Sequence, residues 1–110
     1  MSEERIELLQ GTLDMLVLKS LVDEPKHGFS IMARIRQLSH DALTIEEGSL
    51  YPALRRLERK KLITSRAGVS ENNRKARFYR LTAKGRKQLE VETANWVRLT
   101  SAINLVLGTT

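Results

Sequence analysis

Residues 48–63, "GSLYPALRRLERKKLI", separate into two faces when wound at 3.6 residues per turn. Leu50, Ala53, Leu54 and Leu57 fall on one side; Tyr51, Arg55, Glu58, Arg59 and, towards the flank, Arg56 project from the other. Any fold built on this chain must cover the first face and hold fixed positive charge on the second. Ser49 is placed to cap the helix. With that start, Pro52 is the third helical residue, where its missing N–H has no intrahelical partner; an earlier start forfeits one backbone bond.

Upstream, Thr12 can cap a first helix with Asp14 in its first turn and Leu13, Leu16, Val17 and Leu21 on one face. That helix should stop at "DEPKHG", because Pro25 disfavours helical geometry at Glu24. A second helix through "FSIMARIRQLS" is expected to turn Phe29 or Met32, Ile35 and Leu38 inward and Arg34 outward. In "HDALTIEEG", Leu43 and Ile45 alternate, which suits a short strand or an extended linker.

Downstream, the helical period gives way to a period of two in "LITSR" and "ARFYRL", on either side of "AGVSENNRK". This predicts a β-hairpin, with Gly68 and Asn72-Asn73 able to adopt the positive φ its loop requires. Leu81 closes the strand and Thr82 caps a final helix reaching Leu107, roughly 37 Å long at 1.5 Å per residue. Leu89, Trp96 and Ile103 repeat every seven residues along it, as do Leu99 and Val106 from a position that begins at Glu92. Such a seam suits a second copy of the chain, symmetric dimers being the commonest assembly. The alternative is a helix folded back across Leu9, Met15 and Leu18.

At 110 residues, 41% of them hydrophobic, the chain fits one small domain with a modest core. Within it, residues 1–82 form the compact part and residues 83–110 the projecting helix. The longest apolar run is Met15-Leu16-Val17-Leu18, far short of the ~20 residues a membrane span needs, and "MSEERIELLQ" is acidic rather than leader-like. A cytoplasmic protein without a membrane partner is expected. There is no cysteine, and His27 and His40 are too few for a metal cluster, so no metal or other cofactor is called for. Catalysis lacks its parts: Glu46 and Glu47 diverge, neither histidine has an acid at triad-like spacing, and no Gly-rich loop follows a predicted strand.

The net charge of +6 is strongly segregated. Residues 55–87 hold thirteen of the nineteen Lys and Arg against Glu58 and Glu71 alone, a local +11 that leaves −5 for the rest. Concentration of this kind points to a polyanion. Double-stranded DNA read by sequence is the first expectation; RNA or non-specific architectural binding is the competing one, and it predicts little dependence on base sequence.

Helix, helix, strand or linker, helix and hairpin is the order of a winged helix-turn-helix: mainly α with a small β-hairpin, followed here by one long C-terminal helix. The segments "LLQGTLDMLVLKSL" (8–21), "HGFSIMARI" (27–35), "EEGSLYPALRRLERKKLI" (46–63) and "ENNRKARFYRLTAKGRKQL" (71–89) resemble the PadR family of transcriptional regulators. The single helix after the wing is similar to the family's short subfamily. The resemblance implies a homodimeric DNA-binding repressor, commonly of detoxification or efflux genes. Its third helix would enter the major groove, its wing would approach the minor groove and its last helix would dimerise.

Residue by residue, Ser49 and Tyr51 are expected to clamp the DNA backbone, although Tyr51 can instead be partly buried against the second helix. Arg55 and Arg59, one turn apart, can each pair with guanine O6 and N7. Arg56 is expected on phosphate. Arg74, Lys75 and Arg77 at the wing suit the negative potential of the minor groove. Lys26 and His27 can meet phosphate, His27 equally being a local capping residue, and Lys60 and Lys61 serve as solubilising charge at the helix C-terminus. Leu89, Trp96, Leu99, Ile103 and Val106 form the expected dimer seam. Trp96, with Thr93 and Thr100 on the same helical face, can anchor that interface or flank a gap for a planar aromatic effector.

Overall fold

The structure, a computed structural model, describes residues 8–109. Most of the acidic N-terminal stretch, together with residue 110, lies outside the described residues. The elements run α1 (Gln10–Ser20), β1 (Lys26–His27), α2 (Gly28–Leu38), α3 (Glu47–Arg59), β2 (Ile63–Val69), β3 (Lys75–Leu81) and α4 (Ala83–Leu107). Three helices enclose one core, a three-stranded antiparallel sheet of order β1-β3-β2 closes its side, and α4 runs out from it.

The inner face of α3 is the one the periodicity predicts: Leu50, Ala53, Leu54 and Leu57 are all buried. Val17 and Leu18 of α1, Ile31 and Ile35 of α2, and Ile63 of β2 complete the centre of the core. Full burial of a Leu or Ile side chain contributes about 1.5–3 kcal/mol relative to exposure. The helix starts earlier than Ser49. Glu46 is the N-cap residue, and its carbonyl accepts from the amides of Ser49 (3.0 Å) and Leu50 (2.9 Å). Ser49 is therefore the third helical residue and Pro52 the sixth, so the Gly48 carbonyl goes without a donor from the proline. Likewise α1 begins at Gln10 with Leu9 as its N-cap residue, placing Asp14 a full turn in rather than in the first turn.

In α2 the inward stripe is Gly28, Ile31 and Ile35, while Phe29 is 71% exposed and Leu38 50% exposed. The phase is set at its first residue. A side chain at Gly28 would collide with the Tyr51 hydroxyl, so this glycine is where α2 and α3 approach most closely. His27 caps the helix, its Nδ1 accepting from the Ser30 amide at 3.3 Å.

The segment between α2 and α3 contains no strand; it is a linker pinned by buried Ile45. His40 (φ 52°) and Asp41 (φ 66°) reverse the chain, and the Asp41 amide returns to the Arg36 carbonyl at 2.8 Å. The additional strand is Lys26–His27 instead, paired with Tyr79 and Phe78 of β3. Two residues are too few for an alternating pattern to show.

In the hairpin, Ile63 pairs with Leu81 and Val69 with Lys75. The turn relies on Asn73 (φ 59°), whose amide donates to the Ser70 carbonyl at 2.9 Å. Gly68 plays no part in the turn; it lies within β2, where a Cβ would stand 2.8 Å from the Phe78 ring.

Helix α4 spans Ala83–Leu107 as predicted, capped by the Thr82 hydroxyl, which accepts from the Gly85 amide at 2.9 Å, and ended by Gly108 at φ 72°. The same hydroxyl faces the carbonyls of Lys61 (2.9 Å) and Leu62 (3.0 Å), tying the start of α4 to the end of α3. Gly85 makes that junction possible, because a Cβ there would overlap the Leu62 carbonyl oxygen. Among the described residues no helix is long and apolar enough to cross a membrane. Gly85→Ala should lower the unfolding free energy by about 1–3 kcal/mol, the range for overpacking, read as a reduced urea midpoint at unchanged slope.

Candidate nucleic-acid interface

Because the inner face of α3 is fully covered, its outer face is held at a fixed rotation. Arg55 and Arg59 are exposed on it, and neither forms an ion pair with another described residue. Both guanidinium groups are therefore free to bond in a plane with an external acceptor. Ser49 is exposed in the first turn, and Tyr51 is 38% exposed, its hydroxyl resting on Gly28. Tyr51 thus combines a packed ring with a reachable edge.

Arg56 behaves differently from its neighbours. Its Nη2 donates to Asp14 Oδ1 at 2.7 Å and its Nε to Oδ2 at 3.4 Å, with both side chains largely buried. This guanidinium, expected on phosphate, locks α3 to α1. Asp14 was missed as a partner, yet it falls three residues before Val17 and four before Leu18, on the inner face of α1. A carboxylate in that stripe requires a cation.

Lys26 is likewise engaged within the chain. It is buried on β1 with its Nζ 2.6 Å from Asp23 Oδ1, and that bond holds the Asp23 carboxyl below its ordinary range. His27 takes the capping role. Its ring also stands edge-on to Phe78, with centroids 5.4 Å apart, and Nε2 lies 3.9 Å from Glu71 Oε1. Both side chains are thus engaged within the chain.

At the wing, Arg74, Lys75 and Arg77 are exposed. Together with Tyr51, Phe29 and Glu47 they line a crevice of about 470 Å³ between the first turns of α2 and α3 and the hairpin. The wing is fastened to α3 by a short relay that sequence alone did not disclose. Arg77 Nη1 donates to Ser65 Oγ at 3.1 Å, and Ser65 Oγ donates to Glu58 Oε2 at 2.7 Å. Arg77 is thus partly engaged, whereas Arg74 and Lys75 have no side-chain partner among the described residues. At the crevice floor, burial and then the negative charge of Glu58 raise the Tyr79 hydroxyl above its ordinary value, so it stays neutral.

On α4, Leu89, expected in the dimer seam, packs into the core formed by its own chain. Trp96 (44% exposed), Leu99, Ile103 and Val106 remain exposed, beside Val97, Leu105 and Leu107. Thr93 is exposed, and the Thr100 hydroxyl donates to the Trp96 carbonyl at 2.9 Å, bonding back to its own helix. No group of three or more metal-ligating side chains occurs among the described residues.

A recognition-type helix with free arginines, a cationic hairpin beside it and a second helix braced across its N-terminus define a winged helix-turn-helix DNA-binding protein. Residues 17–91 match the family described as "Transcriptional regulator PadR-like family". The chain belongs to that family, whose members regulate transcription and are not enzymes.

A transcriptional regulator from Clostridium thermocellum shares 29% identity and superposes with a TM-score of 0.78 over 86% of this chain and 92% of its own. A PadR family transcriptional regulator from Eggerthella lenta shares 32% identity at a TM-score of 0.74 over 92% and 86%. An uncharacterized 37.1 kDa protein in a transposon of Streptomyces fradiae is 43% identical over 81% of this chain, which spans only 24% of that larger protein.

Removing one member of a buried ion pair leaves the other charge uncompensated, at about 3–5 kcal/mol when burial is complete. Since Arg56 keeps 23% side-chain exposure, Asp14→Ala should destabilise by about 2–3 kcal/mol. The double variant Asp14→Ala with Arg56→Met should recover part of this loss, as measured by a thermodynamic cycle from urea denaturation.

Proposed function

We propose that this chain is a sequence-specific repressor that binds an inverted-repeat operator in double-stranded DNA as a homodimer. The observation that carries the reading is the pair of exposed, unpaired guanidinium groups of Arg55 and Arg59 on a helix whose opposite face is immobilised. In this reading Arg55 and Arg59 read guanines in the major groove, Ser49 and Tyr51 hold the backbone, and Arg74, Lys75 and Arg77 approach the minor groove. Residues 1–82 serve as the DNA-binding unit and residues 83–110 as the dimerisation helix, acting in the cytoplasm where the operator is. Family resemblance, rather than geometry, supplies the expectation that detoxification or efflux genes are the targets.

The exposed stripe from Trp96 to Leu107 supports dimerisation, because a row of large apolar side chains on a projecting helix is stable in water only when covered. A second reading rests on Trp96 itself. With its symmetry mate it can flank a central gap that accepts a planar aromatic effector, Thr93 lying on the same face. Quenching of the single tryptophan by planar aromatic compounds, with saturation at one compound per dimer, is the expected result; unchanged emission across a panel argues for an interface anchor alone.

Selection of bound duplexes from a random pool should return inverted repeats with half-site centres about 34–36 Å apart, or a multiple of that. Arg55→Ala should then weaken the selected duplex about tenfold or more relative to a scrambled one, the value of a lost bidentate base contact at about 1–3 kcal/mol. Lys75→Ala should weaken both alike. Equal losses for Arg55→Ala reduce it to a phosphate contact, and recovery of unrelated, asymmetric sequences favours non-specific binding.

A further inference from the structure

Phe29 is an exposed phenyl ring beside the cationic side chains of the wing. It is the second residue of α2 and 71% exposed, whereas the inward stripe of the same helix is buried. Its place is set by Gly28, the residue before it, against which the Tyr51 hydroxyl packs. Phe29 therefore stands beside the first turns of α3, and it lines the crevice that Tyr51, Glu47, Arg74 and Lys75 also line. On its other side, with Met32, Thr44 and Ile45, it borders a smaller hollow of about 330 Å³.

A phenyl ring offers no hydrogen bond to a phosphate, and leaving it in water is unfavourable. Its occupant must bring an apolar group to a crevice lined by three cations, Arg74, Lys75 and Arg77, and two carboxylates, Glu47 and Glu71. Duplex DNA does so in two ways, through the 5-methyl of thymine at the major-groove edge and through the faces of the deoxyribose rings. The methyl lies in the groove that α3 enters in the proposed reading, and Phe29 borders the N-terminal end of that helix. The geometry points to Phe29 as a specificity-determining residue that recognises a thymine methyl at the edge of each half-site. This rests on the operator-binding reading above and extends base reading from α3 to the first turn of α2.

The test uses the full chain and the duplex recovered by selection, with each thymine replaced singly by deoxyuridine, which removes one methyl and leaves every hydrogen bond intact. One symmetric pair of replacements should weaken wild-type binding about fourfold per half-site, the factor corresponding to one buried methyl group. Phe29→Ala should bind the parent duplex more weakly and become indifferent to that same replacement, while responding to guanine changes as the wild type does. Circular dichroism and scrambled-duplex affinity should be unchanged, since the side chain is exposed.

If no thymine replacement matters to the wild type although the selected duplex is preferred, the inference is overturned and operator binding stands. If Phe29→Ala weakens all duplexes equally, the ring contacts sugar and reads nothing. If Phe29→Ala binds every duplex as the wild type does, the ring serves a protein partner and not DNA. If selection returns no preferred duplex, the operator-binding reading fails first.

Discussion

The rotational setting of α3 is the constraint on which the rest of the molecule depends. Leu50, Ala53, Leu54 and Leu57 are all buried, and together they leave the helix only one angle at which it can sit. A rotation by one residue would drive a guanidinium into the core, where an unpaired ion costs several kcal/mol, and would bring leucine to the surface. The boundary between faces falls at Arg56. There the conflict is resolved by Asp14, which neutralises the one cation of α3 that cannot reach water freely. An ion pair at the edge and four apolar residues at the centre define one orientation between them.

The wing inherits its position from that orientation. Glu58 on α3 accepts from Ser65 of β2, which accepts from Arg77 of β3, so the hairpin is bonded to the exposed face of α3 itself. At the same end of α3, the Leu57 carbonyl accepts from the Leu62 amide and the Glu58 carbonyl from that of Lys61, and Thr82 closes over that turn. The hairpin is therefore fixed at its base, and Arg74 and Lys75 lie towards its tip. Cationic charge held there suits the negative potential of a narrow groove.

The parts legible in the sequence were those governed by a repeating period or a strong local signal. The inner face of α3, the hairpin, the Thr82 cap and both ends of α4 are read directly from such patterns, and so is the outward placement of Arg55 and Arg59. What escaped the sequence depends on contacts between distant positions. Asp14 and Arg56 are 42 residues apart, and nothing local pairs them. The strand at Lys26–His27 is too short to alternate, and the inward stripe of α2 is set by the contact of Gly28 with Tyr51 rather than by hydrophobicity, which favoured Phe29. The starts of α1 and α3 drifted by three residues for a simpler reason. Backbone carbonyls at Leu9 and Glu46 begin the helices without any side-chain cap, so the capping-type residues Thr12 and Ser49 marked the wrong turn.

Helix α4 belongs to two environments at once. Leu89 and Trp96 occupy the same position of a seven-residue repeat, yet Leu89 is 8% exposed and Trp96 44%. One continuous seam thus begins inside the core and ends in solvent. A helix of 25 residues is stiff on this scale, so it transmits displacement along its axis rather than absorbing it. At its start, Gly85 abuts the Leu62 carbonyl with no space for a methyl group, immediately beyond the C-terminal turn of α3. Whatever covers Trp96 therefore bears on a rod whose other end rests against the helix that carries Arg55 and Arg59. Alongside that path a solvent-open pocket of about 360 Å³ is lined by Met15 and Leu18 of α1 and by Gln88 and Glu92 of α4. The first turns of α4 are held against the domain by Gly85 and Leu89, while the four apolar residues of α3 keep its arginines aimed outward.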